Sequence, residues 1–221
     1  MNPDPPLDPI ESLIPEWPGL PAPSDKLFQS QEDWWNNACL NWGAHGWTLY
    51  ASGYKEAADL LVKHIEARGA SQDTLVYPIL FLYRQYLELL IKDTLRMARR
   101  LRDVDGEMPM HHRIDALWHE LHRLLRQISP GDSEPELQEV GRLIGEFSRA
   151  DPLSMAFRYP VDTKGNATLP GITHINLRNV RDVLGKISIM MEGANSQVHE
   201  YLQYKLEMER EFRDDMGGGM Y

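Results

Sequence analysis

Apolar residues recur at three- and four-residue steps through most of this chain, which is the spacing of one face of an α-helix. This pattern predicts helices over about 31–42, 46–68, 72–102, 111–128 and 134–150. A last helix is expected over about 176–213. At 1.5 Å per residue it would be on the order of 55 Å long, which is more than a single small bundle needs.

The helix expected over 111–128 shows the pattern most clearly. Its apolar side chains fall within about 120° of a helical wheel, and polar side chains occupy the opposite side. The apolar residues are Ile114, Leu117, Trp118, Leu121, Leu124, Leu125 and Ile128. The helix is therefore predicted to bury one face and to expose the other.

The helical pattern is interrupted over about 153–177. Phe157, Tyr159 and Val161 alternate with other residues, and the turn-forming sequence DTKGN follows them. Alternation followed by such a turn is typical of a β-hairpin or of an ordered hairpin-like loop. The expected fold class is all-α: a bundle of five to six helices with one β-hairpin-like insertion and a long C-terminal helix.

The first residues differ in composition from the rest of the chain. Eight of the fifteen prolines lie in the first 23 residues, which predicts an extended, proline-rich arm over 1–27. Its apolar residues are Leu13, Ile14, Trp17 and Leu20. They favour contact with its own domain or with a partner protein, and a disordered leader is the alternative. Residues 28–213 are expected to form a single helical domain, and 214–221 a flexible tail.

Length and composition suit one globular domain. The chain has 221 residues, of which 42% are hydrophobic, enough for one core. Cys39 is the single cysteine, so an internal disulfide is impossible and a reducing, cytoplasmic environment is expected. The opening residues are not expected to act as a secretory signal, and no stretch reaches the roughly 18 apolar residues of a membrane span.

The charge balance bears on possible partners. A formal charge of −10 argues against non-specific binding to nucleic acid, which depends on clustered lysines and arginines. The one dense basic run is RMARRLR, at 96–102, so nucleic-acid binding stays open. No cofactor is expected, because the chain has no P-loop, nucleophile elbow, H-E-x-x-H or dinucleotide-binding fingerprint.

Three charged residues stand one helical turn apart in an otherwise apolar helix: Arg84, Glu88 and Lys92. Glu88 precedes Lys92 by four residues, the favourable orientation for an ion pair within a helix. A salt-bridged face in contact with solvent therefore explains these charges. A catalytic row or a ligand-binding row is the alternative.

The sequences RQYLELLIKDTL and HHRIDALWHEL together resemble the pattern of HEPN-type helical domains. Glu88 and Lys92 correspond to an E-x3-K-like segment, and His112 corresponds to the turn that opens the next helix, with the acidic residue displaced to Asp115. The resemblance covers about 75–128. It implies a helical bundle, often dimeric. Many such domains are ribonucleases of toxin, defence or CRISPR-linked systems, and others are non-catalytic nucleotide-binding or scaffold domains.

The catalytic signature of the ribonuclease members is missing. In R-x4-6-H the arginine stabilises negative charge on the phosphate and the histidine transfers protons. The strict R-x4-H spacing is absent, and the looser match Arg113 to His119 is one that chance gives in a chain with eight histidines. The favoured function is a non-enzymatic interaction or regulatory domain of a bacterial defence or toxin-type system, forming a homodimer through its last helix.

A second group of candidates lies in the expected hairpin. Arg158 stands between two aromatic residues, with Asp151, Asp162 and Lys164 close in sequence. Irregular segments of this composition often carry binding sites. The alternative is a structural plug over the bundle, with Arg158 paired to Asp151 or Asp162.

Two alternative functions remain. A divergent metal-independent ribonuclease would use Arg84 or Arg158 on phosphate and His112 or His119 as acid and base. A nucleotide or small-molecule sensor would have its site under the hairpin. The ligand-binding candidates are Arg84, Glu88, Lys92, Asp151, Arg158 and Lys164.

A metal site is not expected on the polar face of the helix over 111–128. His112, Asp115, His119 and His122 share that face, but only His119 and His122 are spaced to bind one ion locally. The face is interpreted as a solvated surface.

Overall fold

The computed structural model of this protein describes residues 20–40, 46–131 and 133–217. Within these ranges the fold is all-α, and five α-helices occur. They are α1 (Gly46–Arg68), α2 (Gln72–Leu101), α3 (Ile114–Ile128), α4 (Glu134–Ala150) and α5 (Leu177–Gly217). The all-α class and the long C-terminal helix are confirmed, and all five helices lie within a few residues of their predicted positions.

By its internal contacts the chain divides into two units, Met1–Trp42 and Gly43–Tyr221. The first unit is described over 20–40 and contains one turn of 3-10 helix, Trp34–Asn36. The α-helix predicted over 31–42 is therefore wrong for the residues described. The Asn37 side chain instead donates to the carbonyl of Gln31 and accepts from its N–H. Such local bonds compete with helical ones.

Parts of the predicted arm and tail lie outside the described residues. These parts are 1–19, most of the proline-rich arm, and 218–221, the end of the tail. The boundary between the helices predicted over 31–42 and 46–68 also lies outside them. The division into arm, domain and tail stays a prediction.

Helix α2 is the central element of the second unit and packs against α1, α3 and α5. The hydroxyl of Tyr83 donates to Asp59 (2.6 Å), and Thr48 donates to Asp93 (3.3 Å), so α1 runs antiparallel to α2. Because three helices surround it, most of α2 is buried from Ile79 onwards. No helix in the described ranges is both long enough and apolar enough to cross a membrane.

Helix α5 runs parallel to α2 and is joined to it by polar contacts. In the middle of α2, Tyr86 donates to Ser188 of α5 at 2.7 Å. Near the end of α2, Lys205 donates to the carbonyl of Leu101 at 3.1 Å. Burial raises the pKa of the Tyr86 hydroxyl, so this phenol stays neutral and donates its hydrogen bond.

Helices α3 and α4 form an antiparallel pair joined by a short loop. Glu134 at the start of α4 lies 3.3 Å from Arg126 near the end of α3. The two helices approach closely where Trp118 meets Gly141, because glycine has no side chain at that point. A Cβ atom built on Gly141 would lie 2.5 Å from Nε1 of Trp118.

The structure does not support the β-hairpin expected over 153–177. The segment is an irregular connection between α4 and α5, here called the α4–α5 loop, and the described residues contain one isolated bridge, between Val161 and Ala167, and no strand. Asp162 accepts backbone hydrogen bonds within the DTKGN turn. Pro160 has no N–H to donate, so the pairing cannot extend into a ladder.

Replacing Gly141 with alanine is expected to lower the free energy of unfolding by about 1–3 kcal/mol, because the new methyl group overlaps the Trp118 indole. Gly145 is the matched control on the same helix, since its Cβ would make only an ordinary contact with Arg149. Gly145→Ala is expected to raise the free energy of unfolding by up to about 1 kcal/mol, because alanine has a higher helix propensity than glycine. Denaturant unfolding of both variants measures the difference. Equal gains would contradict the close approach of α3 and α4.

Candidate functional site

The charged row on α2 lies in the core. Arg84, Glu88 and Lys92 are 0%, 1% and 4% exposed. The interpretation of these residues as a solvent-facing ion-pair row is therefore wrong. Together with His112, which reaches them from the segment before α3, they form what we call the ionic cluster.

Glu88 is the centre of the ionic cluster. Its Oε1 accepts a hydrogen bond from Lys92 Nζ at 2.7 Å and lies 2.7 Å from His112 Nδ1. Its Oε2 accepts a hydrogen bond from Arg84 at 3.0 Å. Burial alone would raise the pKa of this carboxyl group, but the hydrogen bonds from Lys92 and His112 and the nearby positive charges hold it below its ordinary value. Glu88 is thus a carboxylate that neutralises buried cations.

Arg84 connects three segments of the chain. It donates to Glu88 within α2, to the carbonyl of His112 before α3, and to the carbonyl of Asp151 at the end of α4, the last at 3.4 Å. Burial lowers the pKa of the guanidinium group, and the charges of Glu88 and Asp151 oppose that shift. Each of its three nitrogens therefore has a partner inside the protein.

Asp151 is a second buried carboxylate, 1% exposed, and it fixes the start of the α4–α5 loop. Its Oδ1 accepts the backbone N–H groups of Met155 and Ala156 at 2.7 and 2.9 Å. Its Oδ2 is buried without a hydrogen-bond partner among the described residues, as is one oxygen of Asp115. Both carboxylates lie near enough to Arg84 to favour its charged form.

The two candidate histidines occupy different surroundings. The His112 side chain is 61% exposed while its Nδ1 is held by buried Glu88. A carboxylate that orients an exposed imidazole is an arrangement used in general acid–base catalysis. His119 is exposed on α3. No hydrogen bond or ion pair joins His119 to the ionic cluster in the part of the chain that the structure describes.

Arg158 lies exposed on the α4–α5 loop. Its Nε donates to the carbonyl of Ser154 at 2.6 Å, and its guanidinium carbon lies 5.6 Å from the ring centroids of both Phe81 and Tyr159. This is cation–π geometry. Arg158 is held by its own loop and by α2, and not by the carboxylates of Asp151 or Asp162.

The remaining candidate on this loop, Lys164, is a surface residue, whereas the neighbouring aromatic residues differ in exposure. Lys164 is exposed in the DTKGN turn, where its N–H donates to Asp162. Phe157 is buried and packs edge-on against Phe147, whereas Tyr159 is 49% exposed. Of the alternating residues Phe157, Tyr159 and Val161, only Phe157 is therefore buried.

The basic run RMARRLR is partly neutralised within the fold. Arg96 pairs with Asp93 at 2.9 Å. Arg99 pairs with Glu120 and also donates to the carbonyl of Asp105 at 2.9 Å. Two arginines of the run are thus engaged by the protein itself, which reduces the charge available to a phosphate backbone.

The polar face of α3 is not assembled for a metal ion. Within the ranges described, no group of three or more histidine, cysteine, aspartate or glutamate residues is placed to hold one. His122 instead stacks on Trp118, with the ring centroids 5.6 Å apart, and lies 3.5 Å from Glu134.

A separate groove of about 580 Å³ lies between α5 and the α3–α4 connection, and we call it the α5 groove. Sequence reasoning missed it. Its residues are Leu125, Ser129, Gly131, Ser133, Leu137, Ile189, Met190, Gly193, Ala194 and Gln197. The small residues Gly193 and Ala194 could have indicated it, because short side chains in the middle of α5 leave a depression in the surface of the helix.

Comparison of the chain with models of protein families, with curated proteins and with solved structures gives no significant match. The assignment of a role therefore depends on the geometry described above.

Replacing Glu88 with glutamine is expected to lower the free energy of unfolding at neutral pH by about 3–5 kcal/mol, because Arg84 and Lys92 would remain buried without a counter-charge. Glu139→Gln is the matched control, since Glu139 pairs with Arg142 on the exposed face of α4. Its expected cost is about 0–1 kcal/mol. Denaturant unfolding measures both. Similar small costs would show that the cluster is solvated.

The stabilisation by Glu88 is expected to depend on pH in one direction. Its folded-state pKa lies below the ordinary value of 4.5, so its contribution is complete above 4.5 and is lost as the pH falls through the folded-state pKa. The stability difference between the wild type and Glu88→Gln should therefore shrink in acid, where the protonated carboxyl resembles the amide. Unfolding curves measured at decreasing pH test this. A difference that grows in acid would contradict the assignment.

Proposed function

We propose that this protein is a non-enzymatic interaction or regulatory domain of the HEPN-like kind that its sequence resembles, and that it acts as a homodimer. The observation that carries the non-enzymatic part is the burial of Arg84, Glu88 and Lys92. A role in a bacterial defence or toxin-type system rests on the resemblance alone.

The ionic cluster supports this proposal because its charges serve the fold. Arg84 is 0% exposed and bonds three segments of its own chain, so a phosphate could reach it only by displacing those bonds. Lys92 is equally committed to Glu88. Removing either partner from such a pair leaves an uncompensated buried charge. These residues are therefore better suited to holding the bundle together than to binding a substrate.

The homodimer part is supported by the C-terminal half of α5. Val198 and Leu202 face the core, but four large apolar side chains on the same helix are exposed by 44–67%. They are Tyr201, Tyr204, Met208 and Phe212. A row of exposed aromatic and apolar residues on one helix is typical of a protein–protein interface.

One observation favours the alternative of a metal-independent ribonuclease. The His112 imidazole is exposed and oriented by a buried carboxylate, so it could transfer protons to or from a bound substrate. Arg158 is the exposed cation that such a reaction would use on phosphate, in place of buried Arg84. The sensor alternative has less support, because Phe157 and Ala156 of the α4–α5 loop are themselves buried.

The purified protein is expected to be a dimer at micromolar concentration by size-exclusion chromatography with light scattering. Met208→Glu should shift it to monomer, because a charge would be buried at the interface. His199→Glu is the matched control, since His199 lies on the opposite side of α5 and is exposed. A monomeric wild type would contradict the homodimer.

The same preparation tests the non-enzymatic assignment with a panel of RNAs, none of which it is expected to cleave. Cleavage that is lost in both His112→Ala and Arg158→Ala, with the fold intact by circular dichroism, would establish the ribonuclease alternative instead.

A further inference from the structure

The exposed residues of α5 belong to a longer repeat. Met190, Ala194, Gln197, Tyr201, Tyr204 and Met208 follow one another at alternating steps of four and three residues. This is the a/d spacing by which one helix packs along another. The repeat extends from Met190, in the α5 groove, to Met208, about 27 Å at 1.5 Å per residue. Its second half is exposed among the residues that the structure describes.

The two halves of this repeat differ in shape. The first half is recessed, because α5 is flanked there by the α3–α4 connection, which forms the far wall of the α5 groove. A Cβ atom on Gly193 would meet nothing within 4 Å, so the groove has open space at that point. The second half projects: every side chain described after Leu206 is exposed. A recessed half and a projecting half on one helix are complementary.

This complementarity has a definite register. Suppose that two copies of α5 lie antiparallel and that their residues near 199 are level with each other. Each residue of the repeat then faces the residue of the other heptad position, a against d, in the second copy. Tyr204 then faces Ala194 of the second copy, so that a large side chain meets a small one. Met208 similarly faces Met190 of the second copy, at the recessed end.

Charge favours the same direction. Lys186 is exposed at the recessed end of the repeat. The projecting end is acidic in balance, because exposed Glu207, Glu209, Glu211, Asp214 and Asp215 outnumber exposed Arg210 and Arg213. An antiparallel arrangement places this acidic end beside Lys186 of the second copy. A parallel arrangement would place the acidic ends against each other, which is unfavourable.

We infer that the α5 groove is the docking site for the C-terminal part of α5 from a second copy of this chain, in a two-fold, antiparallel arrangement. Such an interface is isologous, so each copy fills the groove of the other and the assembly closes as a dimer. The inference rests on the proposed homodimer and adds to it the surface, the direction and the register.

Disulfide trapping tests the register in a Cys39→Ser background, which removes the single native cysteine. The double variant Ala194→Cys with Tyr204→Cys is expected to form covalent dimers under mild oxidation. Each single variant should stay uncross-linked, because like positions of the two copies lie about 15 Å apart in this register. The same distance separates positions 194 and 204 within one helix, so a disulfide inside one chain is excluded as well.

A second pair, Met190→Cys with Met208→Cys, repeats the test at the other facing position if the first pair disturbs packing. Covalent dimers of either double variant, with all single variants uncross-linked, support the inference. Cross-linking of a single variant would indicate parallel helices and overturn it. A dimer by light scattering with no cross-linking in either pair would overturn the register and leave the homodimer standing. A monomer would overturn both.

Discussion

The carboxylate of Glu88 is the constraint on which the second unit depends. It lies in the core with two cations, Arg84 and Lys92, that four-residue spacing places on either side of it. A buried ion is costly unless it is paired and hydrogen-bonded, and here both oxygens are used. Because Arg84 also binds the carbonyls of His112 and Asp151, the same charges join α2 to the segments before α3 and after α4. Separating these charges would leave buried ions unpaired, so the contacts favour this packing of the chain around its central helix.

Much of the fold could be predicted from hydrophobic spacing, because each of the five helices has an apolar side that must be buried. The position of α2 could not. A helical wheel assigns a charged stripe to solvent when it considers one helix at a time, whereas the exposure of Glu88 is decided by the loops that cover it. The signal that was available is the composition around the charges: Tyr83, Leu87 and Ile91 leave little of α2 polar enough to face water.

The irregular segments were the least predictable part. Alternation from Phe157 to Val161 resembles a strand, but Pro160 interrupts the donors that a strand requires, and Asp162 closes a turn with its own side chain. The sequence makes Asp151 a ligand candidate, but in the structure its carboxylate accepts the backbone N–H groups that start the loop. The sequence alone does not distinguish a polar loop residue that binds a ligand from one that forms a turn, because its hydrogen-bond partners decide the role.

The distribution of charge and apolar surface separates two demands on the molecule. Charges that are buried, such as Arg84 and Lys92, have partners that the protein itself supplies, so they stabilise one arrangement of the bundle. The apolar side chains Tyr204 and Phe212 are exposed on a helix that continues beyond its core contacts, and burying them requires another surface. Single exposed apolar side chains also occur elsewhere, for example Leu49, Tyr77 and Ile172, but on α5 they form a continuous row that the proposed association would bury. The burial of the charges and the exposure of this row are the physical support for the proposed interaction role.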